Sequence, residues 1–411
     1  MLGTLCYNKF WRSIGISGLL CCCLFSAQAQ YFTLDSNRNR VTMPFLFIRN
    51  MVIIKLKINN RGPFNFILDS GVGQMLITEP SLVDSINIAS KRTIKISGFG
   101  EGNDYEAYVT PPLNIEIKGM RSHYVSAAIL KKDFFGLSNY VGVRIHGLLG
   151  FEFFNRLTVR VDFNDTTITS YRPEKFGGYK SWNKIPISIE ENRPYIETNV
   201  MCEDGTEKAG KFIVDLGAGH AMTLENVTDK SVFSQKFIPA NLGVGIKGLI
   251  SGSVGRIKAI DIGKYKIKDL VASFPDDNYT KSLSIPRDGN LGVDLLKKFI
   301  LVFDYSNSAI YLKPSLTYGT PFEHDMSGLE YYASGDDLGH IIIDRVEPGS
   351  PGEAAGLEKD DEITAINFKP VSSMSIEQID EIFRSRDKRI LFLSIYHDQE
   401  FTTLITLKKR I

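Results

Sequence analysis

One segment of this chain occurs twice, and the repeat constrains the fold more than any other feature. The residues "GLLGFEFFNRLTVRVDFNDTTITSYRP", starting at Gly147, align with "GNLGVDLLKKFILVFDYSNSAIYLKP", starting at Gly289. Gly150 then matches Gly292 at an offset of 142 residues. Two copies of one unit tend to bury equivalent surfaces against each other. The repeat therefore predicts two lobes related by a pseudo-twofold axis.

Both copies have the residue pattern of β-structure. Alternating apolar and polar residues, as in "MVIIKLKI", "LTVRVDF" and "AIYLKP", recur from residue 40 to residue 315 and are typical of half-buried strands. Turn-forming runs such as "NNRG" and "EDG" separate them. We therefore expect a mainly β protein with a first lobe at residues 40–178 and a second lobe at residues 183–315.

Each copy also carries an aspartate at the end of an apolar run, with glycine two residues later. "FNFILDSG" contains Asp69 and "KFIVDLG" contains Asp215. An Asp that bonds its own backbone in a turn is the simpler interpretation of one such motif. Two motifs in equivalent places favour a site in which the carboxyl groups face each other across the axis. Like charges that close share one proton, which makes an acid and a base side by side.

The two motifs, each followed downstream by "LLG" or "NLG", resemble aspartic proteases. The string "GPFNFILDSG…GLLGFEFFNRLTVRVDF" is similar to the bacterial retropepsin-like family with a fused PDZ domain. The resemblance implies acid-protease β-barrel lobes in which Asp69 and Asp215 are catalytic, with polypeptide substrates in an extended conformation and no metal or cofactor. It also implies supporting roles around the pair for Ser70, Gly71, Leu216, Gly217, Gly150 and Gly292.

Two glycine-rich segments, "SGFGEGNDYEAYV" and "LGVGIKGLISGSVGRI", fall where retropepsin-like units carry the flap that closes over a peptide. Ordinary β-hairpins are the alternative. The flap candidates are Gly98, Gly100, Tyr105, Gly245 and Gly248.

Leu216 departs from the family pattern. The resemblance implies Thr or Ser after each aspartate, because that hydroxyl bonds to the backbone of the opposite loop. Ser70 can make this bond and Leu216 cannot. His220 is likewise bulkier than the residues common at its position, although a packing role is the simpler interpretation. Two hypotheses follow: an active endopeptidase, or a degenerate pseudoprotease or adaptor that binds peptides without cutting them.

After Pro314 the pattern changes to an α/β unit, which we place at residues 326–411. "VEPGSPGEAAGLEKDDEITAINFKPV" is similar to the bacterial PDZ signature, with Asp360 and Phe368 in place of two glycines. The resemblance implies that a peptide C-terminus binds beside a strand edge. The expected groove residues are Leu338, Gly339, His340 and Ile341. A domain that only packs on the lobes is the alternative.

The first 29 residues are typical of an export signal, with Lys9 and Arg12 before an apolar run and small residues at Ala27 and Ala29. Signal removal would deliver a periplasmic or secreted protein with no membrane span, and lipid anchoring at the outer membrane is the second interpretation. Removal would leave Cys202 as the one thiol. The net charge of +1 gives no reason to expect nucleic acid, and the scattered histidines predict no metal site.

Overall fold

The computed structural model describes residues 31–86, 88, 92–96, 105–245, 248–276 and 285–411. The predicted export signal therefore lies outside the described residues. About half of the described residues lie in β-strands and far fewer in helices, so the protein is mainly β, as the alternating pattern predicted. In β4, for example, Lys55 and Lys57 are exposed, whereas Leu56 and Ile58, each next in sequence, are buried.

Among its described residues, the first half contains strands β1 to β14 and three short α-helices. The strands are Thr33–Leu34 (β1), Arg40–Pro44 (β2), Leu46–Ile48 (β3), Met51–Ile58 (β4), Arg61–Leu68 (β5), Leu76–Ile77 (β6), Arg92–Ile96 (β7), Tyr105–Val109 (β8), Leu113–Ile117 (β9), Met120–Val125 (β10), Ala128–Leu130 (β11), Gly147–Leu149 (β12), Thr158–Asp162 (β13) and Thr167–Tyr171 (β14). The helices are Leu82–Ser85 (α1), Leu137–Val141 (α2) and Phe151–Phe154 (α3).

In the part of the second half that the structure describes there are strands β15 to β25 and one short α-helix. The strands are Asn183–Pro186 (β15), Ser188–Glu190 (β16), Arg193–Met201 (β17), Glu207–Val214 (β18), Met222–Leu224 (β19), Phe237–Gly245 (β20), Gly248–Ile262 (β21), Tyr265–Pro275 (β22), Gly289–Leu291 (β23), Phe299–Asp304 (β24) and Ala309–Pro314 (β25). The helix is Val293–Leu296 (α4).

The C-terminal part is a smaller α/β unit. Its strands are Leu329–Ser334 (β26), His340–Val346 (β27), Glu362–Ile366 (β28), Lys369–Pro370 (β29), Ile390–His397 (β30) and Gln399–Thr406 (β31). Its helices are Pro351–Ala354 (α5) and Ile376–Phe383 (α6). Ser375 and Gln378 form a capping box at the start of α6, which explains why the helix begins there.

The two halves use the same strand pairings around their aspartates. In the first half β12 pairs parallel with β5 and antiparallel with β6. In the second half β23 pairs parallel with β18 and antiparallel with β19. The register places Leu149 beside Leu68 and Leu291 beside Val214, so equivalent residues of the repeat meet. The pseudo-twofold axis itself stays a prediction.

A six-stranded sheet takes strands from both halves, in the order β15-β25-β24-β13-β14-β2. β13 and β24 pair antiparallel at its centre, with Thr158 opposite Asp304 and Val161 opposite Leu301. One apolar core extends through both halves, and the C-terminal unit has a separate core. Cys202 is a buried free cysteine in the larger core, which fits a packing role.

Candidate active site

Each aspartate begins a loop at the end of a buried strand. The backbone N–H groups of Asp69 and Asp215 donate to Leu149 O and Leu291 O, each at 2.9 Å. Each carboxyl then accepts a hydrogen bond from the glycine two residues later, at 2.7 Å from Gly71 N and 2.8 Å from Gly217 N. The downstream glycine motifs therefore hold the start of each aspartate loop through strand pairing.

The two loops bring the carboxyl groups together. A Cβ atom on Gly71 would lie 2.6 Å from Asp215 Oδ1, and one on Gly217 would lie 2.2 Å from Asp69 Cγ. A Cβ atom essentially never lies within 3.0 Å of a heavy atom outside its own residue and the two neighbours in the chain. Glycine is thus needed at both positions because the carboxyl of the opposite loop occupies the space.

The pKa of Asp69, one of the two paired acids, is clearly shifted. Burial raises its pKa well above the ordinary value, and the charge of Asp215 and a side-chain hydrogen bond with Asp215 raise it further. The Gly71 N–H and the positive charge of Arg193 act in the opposite direction. The effects that raise the pKa of Asp69 outweigh those that lower it.

Asp215 has an additional polar neighbour that the sequence analysis missed. Asn290 Nδ2 donates to Asp215 Oδ2 at 3.3 Å, and Asn290 Oδ1 lies 2.7 Å from His220 Nε2. Thr223 Oγ1 lies 2.8 Å from the same histidine nitrogen. His220 therefore orients the amide that donates to Asp215. The "N" of "NLG" was the available sequence signal, since the first copy has Leu148 there.

Ser70 makes the contacts expected of a residue after the aspartate. Its hydroxyl donates to Val214 O at 2.7 Å and accepts from Leu216 N at 3.0 Å, so it ties the two loops together. Leu216 is fully buried in the main core instead. One side of the reciprocal hydroxyl contact is thus replaced by apolar packing.

Gly150 and Gly292 are required for close packing behind the loops. A Cβ on Gly150 would lie 2.1 Å from Val72 O, and one on Gly292 would lie 2.2 Å from His220 O. Each glycine therefore packs directly against carbonyl groups of the adjacent aspartate loop.

Two hairpin turns each hold the opposite aspartate loop. Asn50, between β3 and β4, donates through Nδ2 to Gly219 O at 2.8 Å. Asn192, between β16 and β17, donates through Nδ2 to Gly73 O at 3.1 Å. Both asparagines have positive φ, 60° and 65°, a conformation that Asn tolerates. The sequence shows two turn-forming asparagines, but their partners lie more than 100 residues away.

Two further residues near the pair were missed. Arg193 donates from Nε to Gly71 O at 2.7 Å. Tyr305 is buried, and burial together with the charges of Asp69 and Asp215 raises its pKa well above the usual value. Its hydroxyl has no hydrogen-bond partner among the described residues. A neutral tyrosine therefore lies near both acids.

The flap candidates that the structure describes are Tyr105, Gly245 and Gly248. Gly98 and Gly100 lie outside the described residues, and Tyr105 begins β8, which pairs antiparallel with β7. Gly245 pairs with Gly248 at the ends of β20 and β21. Asn241 of β20 donates to Glu330 of the C-terminal unit at 3.2 Å, so this hairpin also contacts that unit.

The residues expected to form the PDZ groove do not lie at a sheet edge. Ile341 pairs with Ala333 of β26 on one side and with Ile363 of β28 on the other. Leu338 and Gly339 lie in the turn before β27, where Gly339 N donates to Asp337 Oδ1. His340 is the first residue of β27. A peptide adds only to an unpaired edge. On this side of the sheet the edge strand is β26, one strand earlier than the sequence analysis predicted.

Glu152 is a buried acid behind the first aspartate loop. Its Oε1 accepts from Met75 N at 3.0 Å, and its Oε2 has no partner among the described residues. It lines a cavity of about 300 Å³ with Gly73 and Asn192. Burial raises the pKa of Glu152 to about 7, from an ordinary value of 4.5.

We predict that Glu152→Gln stabilises the protein at alkaline pH. The folded chain keeps the Glu152 proton up to about pH 7, whereas the unfolded chain loses it near pH 4.5, so stability falls as pH rises between these values. Glutamine keeps the oxygen acceptor and does not titrate. Urea unfolding should show a gain that grows from nearly zero at pH 4 to about 3 kcal/mol at pH 8. The exposed Glu174→Gln is the control, and an equal gain at both pH values would contradict the prediction.

Comparison with known proteins agrees with this architecture. The family model described as aspartyl protease matches residues 54–153, and the model described as PDZ domain matches residues 342–395. The chain therefore carries a retropepsin-like aspartyl protease domain and a PDZ domain. The first match includes Asp69 and Gly150 and ends before Asp215. A search of the curated proteins finds no match.

No described helix has the length and apolar character needed to cross a membrane. Within the same residues, no group of three or more His, Cys, Asp or Glu side chains is arranged to hold a metal ion.

Proposed function

We propose that the protein is an exported aspartic endopeptidase that hydrolyses peptide bonds with a water molecule activated between Asp69 and Asp215. The pairing of these two carboxyl groups carries the proposal. The raised pKa of Asp69 supports a neutral acid at that position. The N–H donors of Gly217 and Asn290 support negative charge on Asp215.

In the proposed reaction Asp215 accepts a proton from the bound water, and the water oxygen attacks the scissile carbonyl carbon. Asp69 donates its proton to the carbonyl oxygen, which avoids a free oxyanion. Asp215 then gives its proton to the leaving nitrogen as the C–N bond breaks, and a hydroxyl proton of the intermediate returns to Asp69. Proton transfers of this kind contribute on the order of 10²–10⁴-fold.

The substrates in this proposal are polypeptides in an extended conformation, held largely through their main chain. The pattern of the first 29 residues supports export to the periplasm or the exterior. The buried, hydroxyl-free Leu216 favours a second candidate function, peptide binding without cleavage.

Cleavage of an unfolded protein tests the proposal. Wild type should produce new termini, detected by mass spectrometry, and Asp215→Asn should reduce their rate of formation by at least about 100-fold. The exposed Asp165→Asn is the matched control and should cleave like wild type. Cleavage that survives Asp215→Asn would rule out the proposed reaction, and wild-type binding without cleavage would favour the second candidate.

The pH profile of cleavage provides an independent check. The reaction requires one proton on the pair, so the rate should fall at low pH, when both acids are protonated, and at high pH, when Asp69 ionises. Because the pKa of Asp69 is raised, the fall at high pH should occur well above the ordinary range of a carboxyl group.

A further inference from the structure

The outer edge of the PDZ sheet is covered by the protease part of the same chain. β26 is one of the two terminal strands of its sheet, and α6 lies beside it, with the Tyr331 and Phe383 rings 5.6 Å apart. The Tyr331 hydroxyl also donates to Asp380 of α6. The space between β26 and α6 is therefore the groove in which a peptide could add to this sheet.

Two side chains of the first half bond to the main chain of that edge. Arg49 Nη1 donates to Tyr331 O at 3.2 Å, and Asn139 Nδ2 donates to Ala333 O at 2.8 Å. The two carbonyl groups belong to alternate residues of β26. An added strand would likewise donate its N–H groups to the carbonyl groups of every second residue of the edge strand.

The first half also contacts the opposite wall of the groove. Arg49 forms a two-bond ion pair with Asp380 of α6, at 2.8 and 2.9 Å. A Cβ on Gly142, which directly follows α2, would lie 3.3 Å from Ile376 Cγ2 of α6 and 3.8 Å from Ala333 Cβ of β26. Residues 137–142, which we call the α2 segment, thus lie between the two walls of the groove, β26 and α6.

We propose that the β26–α6 groove is a peptide-binding site that the protein occupies with its own residues, so that an extended polypeptide segment and the α2 segment exclude each other. The main-chain spacing of the two bonds identifies the occupant as an extended chain recognised through its backbone. The inference concerns binding alone and does not rest on the proposed hydrolysis.

Competition of this kind has a quantitative consequence. The apparent affinity for a peptide equals the intrinsic affinity multiplied by the fraction of molecules with an open groove. A substitution that weakens the internal contact from the protease side leaves both groove walls intact. It should therefore strengthen peptide binding, whereas a substitution in the walls would weaken it.

The experiment uses the full chain with Asp69→Asn as background, so that no peptide is cut. Random decapeptides are selected on the Asn139→Asp variant, whose carboxylate would face Ala333 O without a donor, and the tightest peptide is titrated against each protein. Asn139→Ala should bind it about 2- to 10-fold more tightly than the background, the equivalent of one lost hydrogen bond. Asn139→Asp should bind it more tightly still.

Asn65→Ala is the matched control. Asn65 Nδ2 also donates to a backbone carbonyl at 2.8 Å, that of Arg144, but within the first half. This variant should bind the peptide like the background. In hydrogen exchange, the bound peptide should protect residues 329–334 and increase exchange at residues 137–142.

Three results would overturn the inference. They are the absence of any bound peptide on Asn139→Asp, equal affinities for the Asn139 variants and Asn65→Ala, and binding without protection of residues 329–334. Each would mean that the edge of β26 is a permanent packing surface. Because the background cannot cleave, none of these results bears on the proposed protease reaction.

Discussion

Asp69→Asn should reduce peptide cleavage by at least about 100-fold and make the folded chain more stable at neutral pH. The loss of cleavage follows because an amide neither ionises nor donates the acid proton. The gain in stability follows from burial and from Asp215, which raise the pKa of Asp69. Between the ordinary and the raised pKa the unfolded chain is ionised while the folded chain holds its proton, so stability declines as pH rises. Asparagine removes this decline.

Two measurements on the same protein separate the effects. Cleavage of an unfolded substrate measures the reaction. Thermal unfolding from pH 4 to pH 8 measures how the stability of the fold depends on pH. The control Asp165→Asn removes an exposed carboxyl and should change neither. A variant that loses cleavage and is also less stable at every pH would show that Asp69 supports the fold, contrary to this account.

Arg49→Met should destabilise the protein by about 3–5 kcal/mol. The side chains of Arg49 and Asp380 are only 7% and 8% exposed, and their ion pair joins the first half to α6. The guanidinium also lies 4.8 Å from the centre of the Tyr331 ring. Removing the cation leaves the buried Asp380 carboxylate without the positive charge of Arg49, which costs more than the pair itself contributes. Urea unfolding measures the loss.

The exposed pair Arg121–Asp35 provides the control. Its side chains are 54% and 35% exposed at the same 2.8 Å separation, so Arg121→Met should cost no more than about 1 kcal/mol. The double variant Arg49→Met, Asp380→Leu removes both charges and should recover much of the loss. If the double variant is as unstable as the single one, the uncompensated charge is not the cause.

Much of the fold could be predicted because its signals are local. Alternation identified strands such as β4 and β13, and the repeat identified which residues of the two halves are equivalent. The pairing of Leu149 with Leu68 and of Leu291 with Val214 follows the same equivalence. The mainly β class and the presence of protease and PDZ domains were predicted correctly.

The details that depend on distant contacts could not be predicted. β27 is not an edge strand because it pairs with β28 as well as with β26. The residues of β26 and β27 alone do not indicate which of the two is the edge. Asn50 looks like an ordinary turn residue, yet it holds Gly219 of the other half. The burial of Glu152 likewise results from packing of α3 behind the first aspartate loop, and not from its neighbours in sequence.

The six-stranded sheet that joins the halves has a consequence for behaviour on dilution. β13 and β24 belong to one polypeptide, so their pairing carries no cost of bringing two molecules together. A carboxyl pair built between separate subunits would dissociate below a threshold concentration, by mass action. The proposed cleavage should therefore proceed at the same rate per molecule at nanomolar and micromolar concentrations.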